Sequence, residues 1–245
     1  MAATENHWHI RPDRPLAVQL AKRQLPEFVC DAVNLEGIPV TLAEVQTLLE
    51  GVTVGGHKVS DQQVVLNQGN AWRRLFKLVE TDQFAVSREI ACNLHKIAAK
   101  EDALAWGTFR QGGVYIAGTE YVPPAADRLP FLFDGMVRRI SKIDDIYRKS
   151  FAVFLDMARN QYFYDVNKRM GRFMMNGLLL SNGLPAINVP SKKRLEFNRK
   201  MIRFYDSNDP AEMQDFLRSC MEPRILRIMK ESQRSDFASS RLRHR

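Results

Sequence analysis

The sequence predicts a mainly α-helical fold interrupted by one short β-hairpin. Apolar residues recur at helical spacing almost throughout: Trp72, Leu75, Phe76 and Val79 follow i, i+3, i+4, i+7, as do Phe151, Phe154, Leu155 and Ala158. One stretch, Gly107 to Pro124, abandons that period. No internal repeat or low-complexity linker divides the 245 residues, so one domain over 1–245 is expected.

Taken in chain order, the first clear helix start is Thr41 with Glu44, a hydroxyl and a carboxylate spaced to satisfy the exposed N–H groups of a first turn. Gly51 to His57 carries glycines and separates that helix from the next, whose start is read at Ser60 with Gln63. Between Gly107 and Pro124, Val114-Tyr115-Ile116 and Glu120-Tyr121-Val122 flank the turn-compatible Ala117-Gly118-Thr119, which reads as a hairpin. Pro123-Pro124 removes two backbone donors and ends the pairing. Helical pattern resumes near Phe131 and runs to Asn160. A last strongly patterned helix follows Asp165, with Met170, Phe173, Met174 and Leu178 as its buried face.

Composition excludes several classes. Cys30, Cys92 and Cys220 lie far apart without metal-ligand rhythm, so neither a disulfide framework nor a zinc site is expected and a reducing cytoplasm fits. No apolar run reaches the roughly 18 residues of a membrane span, and Met1 to His9 lacks a signal-type apolar core. Much of the +8 net charge falls between Arg224 and Arg245, where Ser and Arg alternate without aromatic residues. That favours a flexible basic tail over about 231–245 rather than a nucleic-acid surface.

The chemistry concentrates in Gln161 to Arg172, where Asp165, Asn167 and the cations Lys168, Arg169 and Arg172 precede or open a helix. Backbone N–H groups and the dipole at a helix start attract anions. Arg169 and Arg172, three apart, share a face and can clamp neighbouring phosphate oxygens, and Gly171 permits close packing. Asp165 is suited to cap the helix or to hold a magnesium ion.

This stretch resembles the signature of the Fic family, His-x-Phe-x-Asp/Glu-Gly-Asn-Gly/Lys-Arg-x-Gly/Ala-Arg, with Phe163, Asp165, Asn167, Lys168, Arg169, Gly171 and Arg172 at matching positions. The likeness covers roughly Phe28 to Cys220. It implies a Fic-like helical bundle with a β-hairpin flap over about 107–124, in which Gly113, Val114, Tyr115 and Ile116 line up a protein substrate or partner peptide by strand pairing. It also implies ATP or ADP with magnesium as ligands: Asp165 for the metal, and Asn167, Lys168, Arg169, Gly171 and Arg172 around the phosphates. Such proteins generally move AMP from ATP onto a protein hydroxyl, and a homodimer is one arrangement the resemblance allows. An N-terminal inhibitory-type helix over about 26–37 is also implied, with Glu36, followed by Gly37, pairing with Arg172.

Two letters depart from the signature. Gln161 stands at the position of the catalytic His, and a neutral amide cannot accept a proton near neutrality. Val166 replaces a Gly whose freedom at positive φ the loop uses. His7, His9, His57, His95 and His244 offer no evident substitute base. His95, among Ile90, Leu94 and Ile97, reads as structural. The expectation is therefore a nucleotide-binding protein of the AMP-transferase lineage with weak or absent transfer. The alternatives are Glu36- and metal-dependent removal of AMP from a modified protein, and a non-enzymatic partner-binding module.

Overall fold

A computed structural model describes residue 8 and residues 10–242, with side chains as far as residue 232. Eleven α-helices are present among the described residues: α1 (Arg14–Arg23), α2 (Leu25–Leu35), α3 (Leu42–Leu49), α4 (Val59–Glu80), α5 (Arg88–Ala98), α6 (Leu129–Ile140), α7 (Ile146–Asn160), α8 (Asn167–Ser181), α9 (Arg194–Ser207), α10 (Ala211–Ser219) and α11 (Pro223–Leu242). The mainly helical expectation holds. His7, His9 and His244, and the side chains of the expected basic tail beyond residue 232, lie outside the described residues, while the backbone of α11 is helical through Leu242.

Helix α8 is the centre of the bundle, buried on nearly every side, with Met170, Phe173 and Met174 in the core and Leu178 half-buried. It lies against α7 at close range because Gly171 has no side chain: a Cβ there would stand 2.9 Å from the Phe154 ring and 3.0 Å from the Phe154 carbonyl oxygen. Helix α4 crosses the other side through Trp72, whose ring meets Phe28 of α2, Phe76 and Phe173 at 4.8, 5.5 and 5.3 Å. The helices that carry Glu36 and the 161–172 loop thus share one aromatic core.

The local start signals divide. Thr41 closes a reciprocal capping box with Glu44. Ser60 does not cap α4, which begins one residue earlier at Val59 behind Lys58; Gln63 instead donates to Asn67 one turn on, at 2.9 Å. Asp145 caps α7 by accepting from the Arg148 amide at 2.6 Å.

The expected β-hairpin is corrected: there is no strand among the described residues, and 107–124 is an extended loop that turns at 117–118, with Gly118 at φ +85°. No backbone hydrogen bond joins its two limbs. The donors that a ladder would need are missing or spent. Pro123 and Pro124 have none, and the Tyr121 amide donates to Thr119 Oγ1 at 3.0 Å. The tip is instead tied to α9 through the Thr119 hydroxyl, which donates to Asp206.

Candidate functional site

The loop between α7 and α8 is built by a short chain of side-chain amides. Gln161 caps α7 in the left-handed region, φ 49° and ψ 62°. Its Nε2 donates to the Ala158 carbonyl at 2.5 Å, an orphan acceptor of the last turn, while its Oε1 accepts from Asn167 Nδ2 at 2.9 Å. Asn167 in turn clasps Phe163, donating to its carbonyl at 2.8 Å and accepting from its amide at 2.9 Å. Both amides are therefore spent on holding the loop shut. Asn167, expected on a phosphate, uses its side chain within the loop.

Val166 sits at φ 65°, where a β-branched residue is strained by about 1–3 kcal/mol. Its amide donates to Asp165 Oδ1 at 2.5 Å, and its carbonyl accepts from Met170 at 2.8 Å, so Val166, not Asp165, is the N-cap of α8. The Val166 side chain is 3% exposed, and its burial offsets the strain. The Asp165 carboxylate remains at the exposed rim, the setting in which a single carboxylate can join substrate phosphates around a magnesium ion.

Behind the loop, His95 of α5 is buried. Its Nδ1 accepts from the Gly107 amide at 3.0 Å, which places the proton on Nε2, 3.4 Å from the Asp165 carbonyl, and its ring stacks on Phe163 at 3.8 Å. Burial, reinforced by the charge of Arg169 and only partly opposed by the Asp165 carbonyl, pushes its pKa down to about 4. A neutral imidazole with both nitrogens engaged positions the loop; it is not aimed at a ligand.

The three cations of the stretch each meet a carboxylate. Glu36, at the C-cap of α2 and followed by Gly37 at φ +91°, accepts from Arg172 Nη2 at 3.4 Å and lies 3.2 Å from Lys168 Nζ. Burial pushes the Glu36 carboxyl up, but Lys168, Arg172 and Arg169 outweigh it and hold it below the ordinary value. Burial brings the Arg172 guanidinium down to about 10 despite Glu36. Arg169 donates to Asp102 at 2.8 Å.

Three contributors escaped the sequence reading. Arg110, 2% exposed, donates to the carbonyls of Gln161 at 2.6 Å, Gly112 at 2.7 Å and Pro124 at 2.5 Å, fastening both ends of the 107–124 segment to the loop. Tyr164 Oη accepts from the Gly112 amide at 2.9 Å and supports the same junction. Asp102 lies in a charged run that no periodicity distinguishes. Of the residues expected to line up a target, Gly113 and Tyr115 are exposed, while Val114 and Ile116 are half-buried. No group of three or more His, Cys, Asp or Glu suited to hold a metal occurs among the described residues, and no helix there is long and apolar enough to cross a membrane.

Comparison with known proteins converges on this region. A model of the Fic/DOC family matches residues 85–179, from the start of α5 to the last turns of α8. Protein adenylyltransferase Fic from Drosophila erecta is 23% identical over 213 residues, covering 84% of this chain and 42% of that protein; the Drosophila mojavensis counterpart is 21% identical over 212 residues. The chain spans about two fifths of the length of these curated relatives. Residues 134–508 of Fic-1 from C. elegans superpose with a TM-score of 0.77 at 16% identity, covering 94% of this chain and 70% of that one. A Fic domain-containing signalling protein from Bacteroides thetaiotaomicron gives 0.71 at 15% identity, covering 91% and 90%. At such identities the superpositions speak for the fold, while the family match spans the α5 support, the 107–124 segment and the 161–172 loop together: residues 85–179 form a Fic/DOC-type domain.

Proposed function

We propose that this protein binds ATP or ADP at the 161–172 loop, belongs to the protein adenylyltransferase lineage, and transfers AMP weakly or not at all. The observation that carries the reading is the state of Gln161. Its amide is neutral and already bonded at both ends, to Ala158 and Asn167, so it can neither take the proton of an incoming hydroxyl nor turn toward one without opening the loop. General-base assistance typically contributes about 10² to 10⁴-fold, and neither histidine among the described residues is placed to restore it. His95 faces inward, and His57 is paired with Glu44 at 3.0 Å.

What the chain retains is an anion site. The start of α8, Lys168, Arg169 and Arg172 attract polyphosphate, and Asp165 at the rim would hold magnesium, which when bound neutralises phosphate charge. Glu36 acts as an internal occupant of Arg172 and Lys168 and keeps terminal phosphates out. The segment about Tyr115 presents a partner peptide or protein substrate with an extended edge whose backbone groups are unpaired by a ladder.

AMP removal through Glu36 is the weaker alternative, since a carboxylate held below its ordinary pKa by three cations is a poor base. Calorimetric titration with ATP and magnesium tests the binding reading. Affinity should fall at least tenfold in Arg169→Ala and in Asp165→Ala; equal affinity in both would remove the site. Labelled ATP with cell lysate should mark little protein, and robust Gln161-dependent labelling would overturn the claim of impaired transfer.

A further inference from the structure

Glu36 answers two of the loop's three cations; the third is answered from outside both the loop and the inhibitory helix. Arg169 is only 6% exposed, and its Nη2 donates to Asp102 Oδ2 at 2.8 Å. Its Nε and Nη1 are buried without a hydrogen-bond partner. An arginine held for stability alone would have its donors satisfied, because each unmet buried donor is costly. One carboxylate for five donors is the condition of a group awaiting a better ligand.

Asp102 does not reach Arg169 by chance of a mobile chain. After α5 ends at Ala98, two buried amides of α4 hold the turn: Gln68 Nε2 donates to the Ala98 carbonyl at 3.2 Å, and Asn67 Nδ2 to the Lys100 carbonyl at 2.8 Å. Glu101 then takes φ 63°, a strained setting for a residue with a side chain, and the Asp102 amide closes on the Ala99 carbonyl at 3.0 Å. The Asp102 side chain remains 25% exposed, whereas the Arg169 side chain that it pairs with is 6% exposed.

We infer that Asp102 is a second internal carboxylate, occupying Arg169 as Glu36 occupies Arg172 and Lys168, and that it weakens the binding of phosphate-bearing nucleotides. The inference rests on the nucleotide reading above. Glu36 and Asp102, from outside the loop, join Asp165 in balancing Lys168, Arg169 and Arg172, so the site is electrically neutral before any ligand arrives. An incoming polyphosphate must exchange with a carboxylate at each arginine and gains only the difference between two charge-assisted bonds. Glu36 and Asp102 hold different arginines, so their effects multiply.

Calorimetric affinities of ADP, ATP and adenosine, all with magnesium, for the full chain and for Asp102→Asn, Glu36→Gly and the double variant test this. Asp102→Asn should bind ADP and ATP about tenfold more tightly, the value of one charge-assisted hydrogen bond, and leave adenosine unchanged. The same factor should recur in the Glu36→Gly background. Asp102→Ser should behave like Asp102→Asn, and Asp102→Glu should return affinity to that of the unaltered chain. Unchanged or weaker ADP binding in Asp102→Asn, with Glu36→Gly binding ADP well, overturns this inference alone. Equal tightening of adenosine also overturns it, since loosened packing would do that. No nucleotide binding by any variant overturns it together with the nucleotide reading.

Discussion

Replacing Glu36 by Gln tests the energetic centre of the site. The substitution keeps the shape of the side chain and removes its charge, leaving Arg172, which is buried, facing an amide oxygen at the former 3.4 Å contact. Stripping one partner from a fully buried ion pair costs about 3–5 kcal/mol. Two features reduce that here: Glu36 is 21% exposed, and the Gln oxygen can still accept from Arg172. The Lys168 contact, whose cation is more exposed, contributes at most about 1 kcal/mol. A net destabilisation of about 2 kcal/mol follows. Urea unfolding should show it as a lower midpoint with an unchanged slope. Ligand linkage supplies the second half of the test. If the freed arginine takes a phosphate, ATP at 100 times its dissociation constant returns about 2.7 kcal/mol, enough to bring the variant back to the unliganded stability of the unaltered chain. A loss under about 0.5 kcal/mol, or an ATP effect equal in both proteins, would refute the view that Glu36 occupies a phosphate site.

Two further outcomes follow from the loop. Val166→Gly should be more stable than Val166→Ala by about 1 kcal/mol, the reverse of the order inside a helix. Both lose the buried valine, but only Gly relieves the positive φ; unfolding midpoints decide it, and Ala ranking above Gly would dispose of the strain. For His95, folding lowers the pKa from 6.5 to about 4, so its contribution is complete above pH 6.5 and is lost as pH falls toward 4. Between pH 6.5 and 5, before most carboxylates titrate, stability should fall by about 2 kcal/mol; a His95→Gln variant with the same pH slope would show that the effect lies elsewhere.

The sequence displays what is local. Helical spacing, the Thr41 capping box and the motif letters lie within a few residues of one another, and their physics is settled at that range. Glu36 was legible for the same reason, because Glu-Gly marks a helix end and the family likeness supplied its distant partner. The Ser60 reading failed at short range: Val59 begins the helix, and nothing in a hydroxyl-x-x-amide pattern says which neighbouring residue leaves helical geometry first. The hairpin failed differently. Alternation of apolar and polar residues fixes which side chains point inward, and residues 113–116 do alternate in exposure, but it does not decide whether the opposite limb supplies partners. Two prolines and a Thr119 that captures the Tyr121 amide left too few donors.

The loop contacts furthest from view in the sequence are the ones that decide chemistry. Arg110 and Asp102 lie 51 and 67 residues from the loop atoms that they bind, and each is an unremarkable charged letter until α5 and the 107–124 segment fold against α7 and α8. Gln161 illustrates the gap most clearly. As a letter it is a lost base; in the fold it is a brace, tying the last turn of α7 to Asn167 and through it to Phe163. Restoring His at 161 would therefore return a proton acceptor and remove a bridge between two helices in one step. The swap must be judged beside Val166→Gly, which gives the loop the backbone freedom to close without that bridge.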